Sequence, residues 1–162
     1  MRLLAIDPGH TESAYLQYDT VSGRPLSWAK VPNEDLLTIL YNPWADAMAI
    51  EMIQSFGMAV GAEVFRTVYW TGKFAQRWED QTGHPVRLVY RTDVKLHLTH
   101  SRRSKDPNVR QALIDKFGPG KELAIGLKKS PGPLYGMAGD CWSALGVAVT
   151  AAETIEARSM PA

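Results

Sequence analysis

The sequence holds a single cysteine, Cys141, in 162 residues, so no internal disulfide can form, a composition that suits a reducing cytoplasm. Long apolar runs are missing as well. The stretch Leu3-Leu4-Ala5-Ile6 is broken by Asp7-Pro8-Gly9 far short of signal-peptide length, and nothing approaches a bilayer span. The expectation is a soluble, cytoplasmic chain with no membrane partner. No glycine-rich phosphate loop or dinucleotide fingerprint occurs, which removes the common nucleotide-binding classes. Net charge is almost absent, at +1. What is present, 45% hydrophobic and 22% charged residues, describes one domain over residues 1–162, large enough for a real core.

The small net charge conceals a segregation along the chain. Residues 1–86 carry a net −4, residues 87–130 a net +7 and residues 131–162 a net −2. The basic block includes Arg102, Arg103, Lys105, Lys128 and Lys129, residue types that displace counterions from phosphates. An ordinary solvated face is the alternative reading of the same block.

Apolar periodicity and turn residues divide the chain into elements. Arg2 to Asp7 reads as a buried strand, Ser13 to Asp19 as a second and Pro25 to Val31 as a third, joined by turn signals into an antiparallel set. Asn33 is placed to cap a short helix carrying Leu36, Leu37 and Leu40. Asp46 to Glu51 forms a continuously apolar fourth strand, the pattern of a central strand covered on both faces. A long helix is expected from about Met58 to Asp80, a fifth strand from Val86 to Tyr90 and a short helix capped by Thr92. A basic turn at Ser101 to Lys105, a helix from Pro107 to Phe117 and a final Ala-rich helix from about Gly139 to Ala157 follow. This order is that of an α/β, RNase H-like mixed five-stranded sheet with helices on both faces.

Three carboxylates stand out against that scaffold. Asp7 and Glu51 each close an apolar strand, and Asp140 precedes the final helix. If the first and fourth strands are neighbours, Asp7 and Glu51 emerge together and the helix brings Asp140 to them. Three hard oxygen ligands at one point suit Mg²⁺ and phosphodiester hydrolysis. Each also has a plainer reading. Asp-Pro-Gly is a common turn, Glu51 could pair with an arginine, and Asp140 favours a helix N-terminus. The three coincidences together favour a shared site.

The segments Ala5-Ile6-Asp7-Pro8-Gly9, Ala49-Ile50-Glu51 and Gly139-Asp140-Cys141-Trp142-Ser143-Ala144-Leu145 resemble the acidic motifs of RuvC-type Holliday junction resolvases, particularly phage-encoded ones. Thr92-Asp93-Val94-Lys95, then Ser104-Lys105 and Val109, is similar to that family's Val-Lys pair, small-residue loop and Lys-x-x-x-Val helix start. The resemblance implies a structure-selective endodeoxyribonuclease that nicks four-way junctions or related branched DNA. It implies Asp7, Glu51 and Asp140 as catalytic ligands of two Mg²⁺ ions, with Mn²⁺ able to substitute. It also implies DNA contacts from Arg102, Arg103, Lys105, Lys128 and Lys129. Two symmetric nicks need two active sites, so a homodimer is implied. The helix from Met58 to Asp80 is its candidate interface, because its apolar face is wider than one core-facing stripe requires.

The sequence departs from the family pattern at two places. An acid or histidine commonly lies three residues before the last aspartate, where this chain has Met137. The family's aromatic wedge follows the glutamate closely, and Phe56 is the nearest aromatic, at a shifted offset. Other candidates are weaker. His97 and His100 lack the partners of a zinc set, His10 reads as a loop histidine near the acids, and Cys141 has no base partner. Trp70 and Trp142 read as core or interface, and Trp28, Trp44 and Trp78 as base contacts or filler. Two further functions share part of the pattern: a YqgF-type RNA-processing nuclease and a non-catalytic junction-binding protein. An actin-like sugar kinase needs two such domains, for which this chain is too short.

Overall fold

The computed structural model describes residues 1–159, with side chains through Thr154. Three strands open the chain, β1 (Arg2–Asp7), β2 (Glu12–Asp19) and β3 (Arg24–Pro32), followed by α1 (Asn33–Ile39) and β4 (Ala47–Met52). Helix α2 (Ala62–Thr82), β5 (Arg87–Tyr90), α3 (Arg91–Thr99) and α4 (Asp106–Phe117) come next. The last elements are α5 (Lys121–Ala124), the two-residue strands β6 (Gly126–Leu127) and β7 (Ser130–Pro131), and α6 (Cys141–Ser159). No described helix is long and apolar enough to cross a membrane.

The main sheet has the order β3-β2-β1-β4-β5, with β1 antiparallel to β2, β2 antiparallel to β3, and β4 parallel to both β1 and β5. Side chains alternate across a strand, so the sequence of β1 sorts its residues between two cores. Leu4 and Ile6 face α1 and α2, where they meet Met48, Ile50, Leu36, Phe74 and Trp78. Leu3 and Ala5 face α6, together with Ala14, Leu16, Ala49 and Val89. The α6 face is built from small residues. Ala5, Ala14 and Ala49 on the sheet meet Ala144, Ala148, Ala151 and Ala152 on the helix, which lets α6 approach closely. Gly146 permits the same closeness to α3, since a Cβ there would lie 3.0 Å from Val94 Cγ1.

Several sequence expectations shift for physical reasons. The helix expected from Met58 begins at Ala62, because Gly57 adopts φ +75° and Gly61 is extended, leaving Met58 and Val60 exposed before it. Thr92 does not cap α3, which starts at Arg91; its hydroxyl donates to Gln54 Oε1 at 2.9 Å instead. The small ribbon of β6 and β7 carries no periodic signal and was not expected.

Asn33 does not cap α1 either, since it is already the first helical residue and lies 2% exposed. Its side chain belongs to a closed ring of hydrogen bonds around the turn after β1. Gly9 N–H donates to Ser13 Oγ (3.1 Å), Ser13 O–H to Asn33 Oδ1 (2.6 Å), and Asn33 Nδ2 to the Gly9 carbonyl (2.9 Å). Gly9 is required there because a Cβ would stand 2.2 Å from the Glu12 carbonyl oxygen. This ring clamps the segment that leads out of Asp7. Asn33→Ala leaves the Gly9 carbonyl without its donor and the Ser13 O–H without its acceptor and should cost about 2–3 kcal/mol, read as a lower midpoint in urea denaturation with an unchanged slope.

Candidate active site

The β1–β4 ladder runs through the pairs Leu3–Ala47, Leu4–Met48, Ala5–Ala49 and Ile6–Ile50. The next residues in that register are Asp7 and Glu51, which therefore leave the sheet side by side, about 4.8 Å apart at the backbone. Both share the parity of Ala5 and Ala49, so both face α6. Asp7 also pairs with Ala14, Ala14 with Lys30, and Glu51 with Val89. One row thus crosses all five strands as Lys30, Ala14, Asp7, Glu51 and Val89. Asp140 completes the group from above: its carbonyl accepts from the Ala144 amide at 3.0 Å, so it begins α6 and stands at the positive end of the helix dipole.

The acids sense one another. Burial pushes the Asp7 carboxyl up to about 8, and the neighbouring charges of Glu51 and Asp140 push in the same direction, against the pull of Arg91 and Ser143. Burial also raises Glu51, opposed by Arg91. Two cations answer this concentration of negative charge. Lys30 Nζ lies 2.8 Å from Asp140 Oδ2, and this contact raises the lysine. Arg91 Nη1 lies 3.5 Å from Glu51 Oε2 and 3.1 Å from Ser143 Oγ, while its Nη2 lies 2.7 Å from Asp106 Oδ1.

Among the described residues no three His, Cys, Asp or Glu side chains are grouped so that they could hold a metal ion; Lys30 engages Asp140 and Arg91 engages Glu51. The donor set nevertheless fits a divalent cation. Three hard carboxylates lie on one face, and burial, with the charge of the other two, raises the central one, a state that a bound cation relieves. Met137 is buried, 7% exposed, and its carbonyl accepts from Trp142 Nε1 at 3.1 Å, so its position is part of the core.

Two clefts flank Arg91. One, of about 360 Å³, is lined by Asp140, Ser143, Asp106, Arg110 and Trp142, with the Arg110 guanidinium stacked 4.7 Å over the Trp142 ring. The other, of about 310 Å³, is lined by Glu51, Gln54, Phe56, Thr92, Lys95 and Arg102. Phe56 is 65% exposed at its rim. Arg102 thus borders the acid cluster, and Arg103 is its exposed neighbour in the same turn. Lys105 is exposed immediately before α4, where the Asn108 side chain accepts from its backbone amide. Lys128 and Lys129 sit at the exposed turn between β6 and β7.

The remaining sequence candidates have structural partners. His97 lies 2.6 Å from Glu153, which also pairs with Lys116, and His100 ends α3 at φ +60°. His10 stands 3.8 Å from Glu63. Cys141 is buried and its thiol is raised, first by burial and then by Asp140 and Asp7. Trp78, Trp70 and Trp28 pack against the cores. Sequence reasoning gave no role to Lys30, Asp106 or Ser143, nor to Arg91, which falls within the basic block 87–130. The strand register would have revealed Lys30, two strands from Asp7 in the same row.

The raised Asp7 carboxyl has a definite sign in stability. The folded chain keeps a proton that the unfolded chain releases near the ordinary value of 3.8, so Asp7's contribution is full below about pH 4, declines as pH rises and is lost through about pH 8. Asp7→Asn should therefore raise the Tm of the metal-free protein at pH 8, by roughly 2–4 °C for each kcal/mol of repulsion relieved, and flatten its fall between pH 5 and pH 9 in calorimetry.

Comparison with solved structures places this fold. The chain is similar to the RuvC structure of Thermus thermophilus, with a TM-score of 0.68 and 18% identity over 97% of each chain. It is also similar to T. thermophilus RuvC in complex with a Holliday junction substrate, with a TM-score of 0.69 and 19% identity over 98% of this chain and 97% of that one. The mixed five-stranded sheet with its helices is the RuvC, RNase H-like fold. No family model matches the chain, and no curated protein matches it by sequence.

Proposed function

We propose that this chain is a divalent-metal-dependent endodeoxyribonuclease that nicks Holliday junctions or related branched DNA. The observation that carries the reading is the convergence of Asp7, Glu51 and Asp140 from two adjacent parallel strands and a helix start onto one face. The fold shared with RuvC supports the choice of substrate, since one of those structures holds a Holliday junction.

Asp7, Glu51 and Asp140 would hold Mg²⁺, with two ions per site and Mn²⁺ as a substitute. Such ions supply the Lewis acidity that lowers the pKa of an attacking water and neutralises charge growing on the phosphate. Asp7 lies between the other two acids and is the natural shared ligand. Lys30 and Arg91, already at the acids, are suited to offset charge on the scissile phosphate once their carboxylates turn elsewhere. Arg102 and Arg103 on their turn, Lys105 before α4, and Lys128 and Lys129 on the ribbon offer phosphate contacts, which read position rather than sequence. Phe56, exposed beside Glu51, is suited to stack on an unpaired base.

Symmetric nicking requires two copies, and α2 suits their contact. It buries Thr67, Thr71, Phe74 and Trp78 inward, while Phe65, Val68 and Tyr69 remain exposed on its outer side.

A second reading, a junction-binding protein without catalysis, is favoured by the buried Met137 and by the cations already paired with Asp140 and Glu51. Purified protein, a labelled four-way junction and Mg²⁺, Mn²⁺ or EDTA separate the two, with linear duplex and structured RNA as controls. Paired, metal-dependent nicks in the junction are expected; binding without cleavage in either metal would favour the second reading, and selective RNA cutting would favour an RNA-processing nuclease. Asp7→Asn should keep junction binding within about twofold and reduce nicking by at least about a thousandfold, because it removes a ligand charge without touching the basic turn. Arg102→Ala with Arg103→Ala should weaken junction binding and lower the slope of log K against log salt by about 2, measured by fluorescence anisotropy.

A further inference from the structure

Arg91 joins three elements around the acids, and its contacts are unequal. It opens α3 with its side chain 28% exposed and reaches Glu51 on β4, Ser143 on α6 and Asp106 on α4. Its contact with Asp106 is 2.7 Å, whereas that with Glu51 is 3.5 Å. The guanidinium is therefore anchored on Asp106 and only leans toward Glu51. Lys95 also approaches Asp106, at 4.0 Å, so Glu51, Arg91, Asp106 and Lys95 form a chain of alternating charge.

A guanidinium is a permanent cation with a fork that fits a carboxylate. Released from Asp106, it would close on Glu51 in a two-pronged pair and compete with any other cation for those oxygens. Asp106 is itself 69% exposed and stands beside Asp140 and Ser143 in the cleft wall.

We propose that Asp106 is a positioning residue that holds Arg91 back from Glu51 and so keeps the Glu51 carboxylate available to a divalent cation. The inference rests on the reading of Asp7, Glu51 and Asp140 as a metal site. It assigns to α4 a task that none of the three acids performs, and it gives Arg91 a fixed seat in place of a free choice between two carboxylates.

The test is Mn²⁺ binding to the DNA-free full chain, followed by the paramagnetic resonance of free Mn²⁺, for the wild type, Asp106→Asn, Arg91→Gln and the double variant. Asp106→Asn should weaken Mn²⁺ binding about fivefold, the scale of one exposed ion pair. Arg91→Gln should bind at least as tightly as the wild type, and adding Asp106→Asn to it should change nothing further. Equal weakening by Asp106→Asn in both backgrounds would mean that Asp106 acts on the ion directly and would overturn the proposal, as would an Asp106→Asn variant that binds like the wild type. A wild type that binds no Mn²⁺ would overturn the metal-site reading and this inference with it. Asp106 is exposed, and the Asn108 side chain that caps α4 is left in place, so the single variant should fold. Should Arg91→Gln unfold, Arg91→Lys replaces it, with a smaller Asp106 effect expected because one ammonium cannot bridge both carboxylates as the fork does.

Discussion

The parallel pairing of β1 with β4 is the constraint from which the rest of the site follows. Its register sets Asp7 beside Glu51, and its alternation turns both toward α6. A slip of β4 by one residue would turn Glu51 away from Asp7 to the face of Leu4, Ile6, Phe74 and Trp78, where an ionised carboxylate has no partner. That register is held by the two cores, because Leu3 and Ala5 suit only the close-packed α6 side and Leu4 and Ile6 only the side of Phe74 and Trp78. The small residues beneath α6 then determine how near its first residue comes to the strand ends. Packing of alanine on alanine, far from any charge, thereby brings Asp140 to Asp7.

The resulting concentration of negative charge is a cost to the folded chain. Asp7, buried and flanked by two acids, is pushed up to about 8, and Lys30 and Arg91 offset the remainder. Like charges held together at such a cost are suited to a ligand of opposite charge. The geometry also separates duties among the cations. Lys30 arrives through the strand row and meets Asp140, whereas Arg91 arrives through the start of α3 and is shared by Glu51, Ser143 and Asp106. The basic turn at Arg102 lies farther out, bordering the cleft that opens from Glu51 past Phe56.

Much of this was legible in the amino-acid sequence because it is written in periodicity. Apolar runs that stop at Asp7 and Glu51, and an Ala-rich helix that starts after Asp140, disclose strands, a sheet order and three acids at their ends. Asn33 misled because a cap signal and a buried amide look alike in sequence; here the side chain serves the Gly9 turn. The start of α2 misled because Val60 continues the apolar spacing across Gly61, and the backbone of Gly57 and Gly61 overrides it. Lys30 was invisible for a different reason. On an exposed strand a lysine is ordinary, and its meaning arises only when two registers are combined. Asp106 and Ser143 are likewise defined by contacts between elements distant in the chain, which no local pattern encodes.

The central claim is that Asp7, Glu51 and Asp140 together form a divalent-cation site. Its most direct test is anomalous diffraction from crystals of the full chain soaked in MnCl₂. The account predicts a manganese peak bound by Asp7 and Glu51, with Asp140 turned from Lys30 toward the ion. A site with no peak at millimolar Mn²⁺, and with Asp140 still on Lys30, would contradict it.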